Sequence, residues 1–175
     1  AIRRLHAGDT AENVVSGLTG NDTGRDHRQL AVLDKSGGTA GFTGAQSIPF
    51  ADVIATPTLI VAGNMIKSRD VLTALADGFR ASDGSPQMRL LAALHAAQIA
   101  GSDVRGLQSA ALLVLSPDAP PLDLRIDHSA TPLNDLAALA QRVSQPPYVH
   151  WLDKVPVLTD RDRAPDRSAA SASQV

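Results

Sequence analysis

The chain has 175 residues, 43% of them hydrophobic, enough for one domain with a real core. Aromatic residues make up 3% and the net charge is -2, which leaves neither stacking platforms nor a basic field and excludes nucleic-acid and membrane-surface binding. There is no cysteine for a disulfide or thiolate metal site, and no apolar run near the roughly 20 residues of a membrane helix, so a cytoplasmic protein is expected.

Ala1 to Ala7 reads as the last turns of a helix stopped by Gly8 and Asp9, with Thr10 as N-cap of a second helix through Val14, Val15 and Leu18. Gln29–Asp34 and Gly38–Thr43 flank the polar turn Lys35-Ser36-Gly37 and predict a β-hairpin. Thr58–Ala62, between Pro57 and Gly63, predicts a buried strand. Two helices follow, one with Val71, Leu72, Leu75, Ala76 and Phe79 on its inner stripe, the other with Met88, Leu91, Ala92 and Ile99, closed by Gly101. Ala110–Leu115 and Leu122–Ile126 predict partner strands across the Pro120-Pro121 loop. Thr131-Pro132 opens a last helix carrying Leu133, Leu136, Leu139, Ala140 and Val143.

The runs Leu30-Ala31-Val32-Leu33 and Ala111-Leu112-Leu113-Val114 show no polar alternation, which predicts sheets covered on both faces in a layered α+β fold. From about Arg161 the chain is charged and then Ser/Ala-rich, and a disordered tail is expected.

Four stretches carry a resemblance. They are Asp26-His27-Arg28-Gln29-Leu30-Ala31-Val32-Leu33-Asp34, Val61-Ala62-Gly63-Asn64-Met65, the run from Gly101 to Val114, and Asp123-Leu124-Arg125-Ile126-Asp127-His128 followed by Thr131-Pro132. In this order they resemble the domain-of-unknown-function family 1028 (DUF1028), over roughly residues 1 to 143. The resemblance implies a four-layer αββα sandwich of the N-terminal-nucleophile (Ntn) hydrolase type. Residues 1–143 would form the domain, 144–160 a C-terminal extension and 161–175 the tail. It also implies hydrolysis of a small amide or cyclic amide by a Thr, Ser or Cys at the N-terminus. This chain begins with Ala1, has no initiator Met and is expected to be a fragment or processed product lacking the first strands and the nucleophile. Ser116 to Leu122 departs from the family as a short Pro-rich loop. The alternative is a non-catalytic ligand-binding or structural module of the same fold.

Asn64 follows a predicted strand and Gly63, where its amide is placed to donate to an oxyanion; turn Asn residues more often hold their own backbone. Arg105 is a candidate for binding a substrate carboxylate, against an ion pair with Asp103 that holds the loop. Gln108 and Ser109 precede an apolar strand and are candidates for substrate contact; Ser109 has neither a neighbouring His nor a nucleophile elbow. Asn64, Arg105 and Gln108 are expected to gather at one end of the sheet. Asp123, Arg125 and Asp127 alternate and read as a charge ladder on one strand face.

The histidines His6, His27, His95, His128 and His150 lack metal-ligand spacing, His95 reading as a core or boundary residue, and no metal or other cofactor is expected. The glycine-rich Gly37 to Gly44 stretch has no P-loop Lys and lies on a hairpin. The expected partners are a small molecule and a second copy of the chain, because unpaired strand edges near Gln29–Asp34 or Ala110–Leu115 favour association.

Overall fold

Local capping sets the element order. Gly8, at φ +95, ends α1 (Ile2–His6), and the Thr10 side chain accepts from the Asn13 N–H to start α2 (Ala11–Gly20). A single 3-10 turn, Arg25–His27, leads into β1 (Gln29–Leu33), which pairs antiparallel with β2 (Thr39–Thr43). β3 (Asp52–Thr56) pairs with β4 (Leu59–Gly63) through the two-residue turn Pro57-Thr58. Ser68 caps α3 (Arg69–Ala81), and Pro86 begins α4 (Pro86–Ala100), which Gly101 ends at φ +127. After these come β5 (Ala110–Val114), β6 (Leu122–Ile126), α5 (Pro132–Val143), with Pro at its start, and α6 (Tyr148–Leu152).

The computed structural model describes residues 1–165. Most of the tail expected to be disordered therefore lies outside the described residues. The chain divides into two compact units, Ala1–Leu107 and Gln108–Val175. The boundary falls inside the span that the sequence reads as one domain.

In the first unit, strand alternation sorts side chains by layer. Leu30, Val32, Ala40 and Phe42 lie on one face of the β1/β2 hairpin and pack against Ala11, Val14 and Val15 of α2. The other face meets the second hairpin. There Gly41 lies so close to Val53 that a Cβ would come within 2.4 Å of it, and the Thr39 hydroxyl donates to the Thr56 carbonyl at 3.0 Å. The far face of β3/β4 carries Ile54, Leu59 and Val61 against Val71, Leu72 and Ala76 of α3 and Ala97 of α4. The layer order is helix, hairpin, hairpin, helix pair.

In the second unit β5 and β6 form an antiparallel hairpin whose buried cross-strand pair is Leu112 and Leu124. α5 packs along both strands and buries Leu133, Leu136 and Ala140. Beyond α6, Thr159 bonds through its N–H and its hydroxyl to the Pro117 carbonyl, each at 3.2 Å, which ties the C-terminal segment to the Pro-rich loop.

Three expectations change. Sequence reading leaves β3 unassigned, because its five residues lie between Pro49 and Pro57 and are too few to show a pattern. The expected double-faced burial is found only in part. Ala31 and Ala111 are exposed, and so are Leu33 and Leu113, while the alternate residues Val32 and Leu112 are buried. These strands alternate in burial without alternating in polarity, since an apolar residue can sit at a surface at little cost.

The inner stripe of α4 is also different. Met88 and Ile99 are exposed, Ile99 at 88%, and Leu91, Ala93 and Ala97 are buried. α4 is apolar nearly all round, so periodicity does not select its face. Gly78 of α3 selects it, because a Cβ there would sit 2.9 Å from the Ala96 Cβ. The two helices meet through small residues.

Asp34 fastens the turn end of the first hairpin to α2. Its carboxylate accepts from the N–H groups of Ala11 (2.9 Å), Ser36 (2.9 Å) and Gly38 (3.0 Å), and from the Ser36 hydroxyl (2.6 Å). The Ser36 hydroxyl first, then these N–H groups, holds the carboxyl down to about 2. A depressed carboxyl contributes stability that is complete above its ordinary value near 4 and is lost as pH falls toward 2. Urea unfolding at a series of pH values should therefore show a loss in this window that Asp34→Asn flattens. An unchanged acid limb in the variant would show that Asp34 contributes nothing to it.

Candidate functional site

One end of the first unit draws the ends of four strands together. Gln29, the first residue of β1, donates from its side-chain nitrogen to the Thr43 hydroxyl (3.0 Å), the Asp52 carbonyl (3.1 Å) and the Gly63 carbonyl (3.0 Å). Those residues are the last of β2, the first of β3 and the last of β4. An amide nitrogen has fewer N–H bonds than these acceptors, so a hydrogen is shared between two of them. Sequence reading placed Gln29 only at the start of a strand. Its signal is a polar residue opening a strand that is otherwise apolar, directly after Asp26-His27-Arg28.

Asn64 follows Gly63 at this end and is exposed. No hydrogen bond engages its side-chain amide among the described residues. The chain then turns sharply. Met65 has φ 58 and Ser102, on a neighbouring loop, φ 56, a left-handed conformation that costs a non-glycine residue roughly 1 kcal/mol or more. Surrounding backbone bonds hold both. The Val104 N–H donates to the Met65 carbonyl at 2.9 Å, the Lys67 N–H to the Ser102 carbonyl at 3.0 Å, and Phe50 and Ile66 exchange two bonds at 3.2 Å. The loops 63–67 and 101–105 are laced together, which puts Asn64 and Arg105 on adjacent segments.

Arg105 is engaged locally. Its Nε and Nη2 donate to the two Asp103 carboxylate oxygens at 2.9 and 2.6 Å, and its backbone N–H donates to Asp103 at 2.8 Å. The Arg105 side chain first, then its backbone N–H, holds the Asp103 carboxyl down to about 2. The guanidinium remains largely exposed and keeps further N–H groups for an anion. Asp52, beside Gln29's acceptor carbonyl, pairs with Arg69.

Gln108 and Ser109 belong to the second unit, where both are exposed ahead of β5. The Gln108 carbonyl accepts from the Ser129 N–H at 2.9 Å, and the Ser129 hydroxyl bonds Asp135. Arg125 pairs with Asp127 at 2.6 Å in the alternating row on β6 and beyond it. The second unit also has an apolar cleft of about 690 Å³ walled by Leu115, Pro120, Pro121, Val157 and Leu158. Among the described residues no group of three or more His, Cys, Asp or Glu residues could hold a metal ion, and no helix is long and apolar enough to cross a membrane.

Comparison with known proteins gives the family. The model of a family of unknown function, DUF1028, matches residues 1–136. Among solved structures, the crystal structure of protein SPO2555 from Silicibacter pomeroyi, also assigned to DUF1028, superposes with a TM-score of 0.86 at 41% identity. The match covers 94% of this chain and 74% of that one. No curated protein matches the chain. A match over most of the chain, together with a solved structure at this identity, establishes that the chain belongs to the DUF1028 family.

Proposed function

We propose that this chain is the scaffold of an Ntn-type hydrolase acting on a small linear or cyclic amide, with the first unit as its αββα sandwich. The observation that carries the reading is the gathering of four strand ends by Gln29 directly beside the exposed amide of Asn64. Catalytic groups in layered folds collect where strand ends and their loops converge on a rigid frame. In this reading Asn64 Nδ2 donates to the oxyanion that forms as the amide carbonyl is attacked. The laced, left-handed turns hold it in place so that little reorganisation is needed. Arg105 binds a carboxylate of the substrate with the N–H groups that Asp103 leaves over. Gln108 and Ser109 are proposed as ligand contacts of the second unit taken by itself, with no part in the strand-end site. Nucleophilic attack is assigned to none of these four.

The test is steady-state hydrolysis of a panel of small linear and cyclic amides by the purified protein with its N-terminal nucleophile in place. Asn64→Ala should lower kcat about 10²-fold or more with little change in KM, as loss of one oxyanion donor does, and leave the thermal midpoint unchanged. Arg105→Gln should raise KM for acidic amides and spare neutral ones. A protein that turns over no amide, or an Asn64→Ala variant as active as the parent, would remove the hydrolase reading.

A second reading, a non-catalytic module that binds a ligand or a second copy of itself, is favoured by exposed apolar strand positions. Each hairpin pairs only within itself among the described residues, with Leu33 exposed on β1 and Leu113 and Leu115 exposed on and just after β5. Light scattering after size exclusion should report a dimer. A monomer at high concentration would count against self-association.

A further inference from the structure

A second, smaller cleft of about 300 Å³ lies in the first unit beside the start of β1. Its apolar lining comes from Leu18 of α2, Leu30 of β1 and Phe42 of β2; its charged lining is Asp22, Arg25 and Arg28. Both arginines line the cleft against a single carboxylate. Asp22 is fully used within the fold, one oxygen accepting from the Gly24 N–H at 2.9 Å and the other from Arg28. Arg28 and that N–H hold its carboxyl below the ordinary range, so it stays ionised. Arg25 has no carboxylate partner among the described residues and donates only a long bond, 3.4 Å, to the Thr19 carbonyl in the last turn of α2. Thr19 and Gln29 complete the lining, which is apolar on one side and carries one positive charge in excess on the other.

The geometry points to a binding site for a small carboxylate with an apolar body, the carboxylate held by Arg25 and Arg28 and the body on Leu18, Leu30 and Phe42. A guanidinium fork matches a carboxylate, and a volume at the low end of ligand pockets suits a molecule with a short chain or one ring. An apolar lining gives a bare inorganic anion nothing to occupy. This site goes beyond the proposed hydrolase function and does not depend on it, since the assignment concerns binding alone.

Titration of the protein with phenylacetate, followed by calorimetry and by amide chemical shifts, tests the assignment. Saturable binding is expected, with shifts at Leu18, Arg25, Arg28 and Leu30. The neutral analogue 2-phenylacetamide and inorganic phosphate should each bind about tenfold more weakly or worse, since each lacks one half of the match. Arg25→Gln should weaken phenylacetate about tenfold, and this variant leaves the Asp22–Arg28 pair in place if Arg28→Gln disturbs the loop. Leu18→Asn, on the outer part of α2, should weaken it as well. Absence of saturation, equal affinity for phosphate, or an affinity unchanged by Arg25→Gln would overturn the assignment. None of these outcomes bears on amide turnover at Asn64.

Discussion

Leu72→Ala is expected to destabilise the protein by about 2–5 kcal/mol, the range for a leucine removed from a closed core. Leu72 is 1% exposed on the inner face of α3, packed among Val61, Ile66, Val71, Ala76 and Ala97, and its Cδ2 would lie 3.0 Å from a Cβ on Gly63. Strand β4 and its partner cannot move in to fill the space, because Gln29 and the laced loops hold the Gly63 end. Urea unfolding followed by circular dichroism should show a lower midpoint with an unchanged slope. Ile99→Ala, on the outer face of α4, should stay within about 0.5 kcal/mol of the parent. If the two variants cost the same, the assignment of the inner and outer helix faces is wrong.

Gly44→Ala is the second large effect, expected at about 3 kcal/mol, the upper part of the usual range for overpacking. A Cβ on this buried residue would come within 2.3 Å of both the Arg25 and the Asp26 carbonyl oxygens. Those atoms are backbone and cannot rotate away. Nearby bonds also fix them, with the Gly44 N–H on the Arg28 carbonyl at 2.9 Å and the Gln46 N–H on the Asp26 carbonyl at 2.7 Å. The substitution must push the 24–28 segment off the sheet, so it should weaken phenylacetate binding along with stability. Gly20→Ala makes the control, since a Cβ there meets nothing within 4 Å. A Gly44→Ala protein as stable as the parent would show that the 3-10 turn is not seated on β2.

Elements with strong local signals were legible in the sequence. Thr10 and Gly8 mark the start of α2, Lys35-Ser36-Gly37 marks the first hairpin, and Thr131-Pro132 marks α5, because each rests on backbone chemistry that neighbours cannot override. The faces of α4 were not legible, since Gly78 of another helix decides them. Nor was β3, whose partner lies across a turn with Thr58 at φ 63, a conformation that sequence assigns to glycine or asparagine. Asn64 was readable as a polar residue at a strand end, and Arg105 as one in the loop after Gly101. That Asp103 would occupy the Arg105 fork was readable as the alternative. What joins the four strands is the side chain of Gln29, and its three acceptors, up to 34 positions away, leave no periodic trace.

The most direct test of the strand-end site is a titration of the protein with N-acetylglycinamide and hydantoin, one linear and one cyclic amide, followed by backbone and side-chain amide resonances. The account predicts saturable shifts at Gly63, at the Asn64 side-chain amide, at Met65 and from Asp103 to Arg105, with the opposite end of the hairpins around Lys35 to Gly37 and Pro57 to Thr58 unmoved. Shifts that cluster around Lys35 and Thr58, or none that saturate, would contradict it.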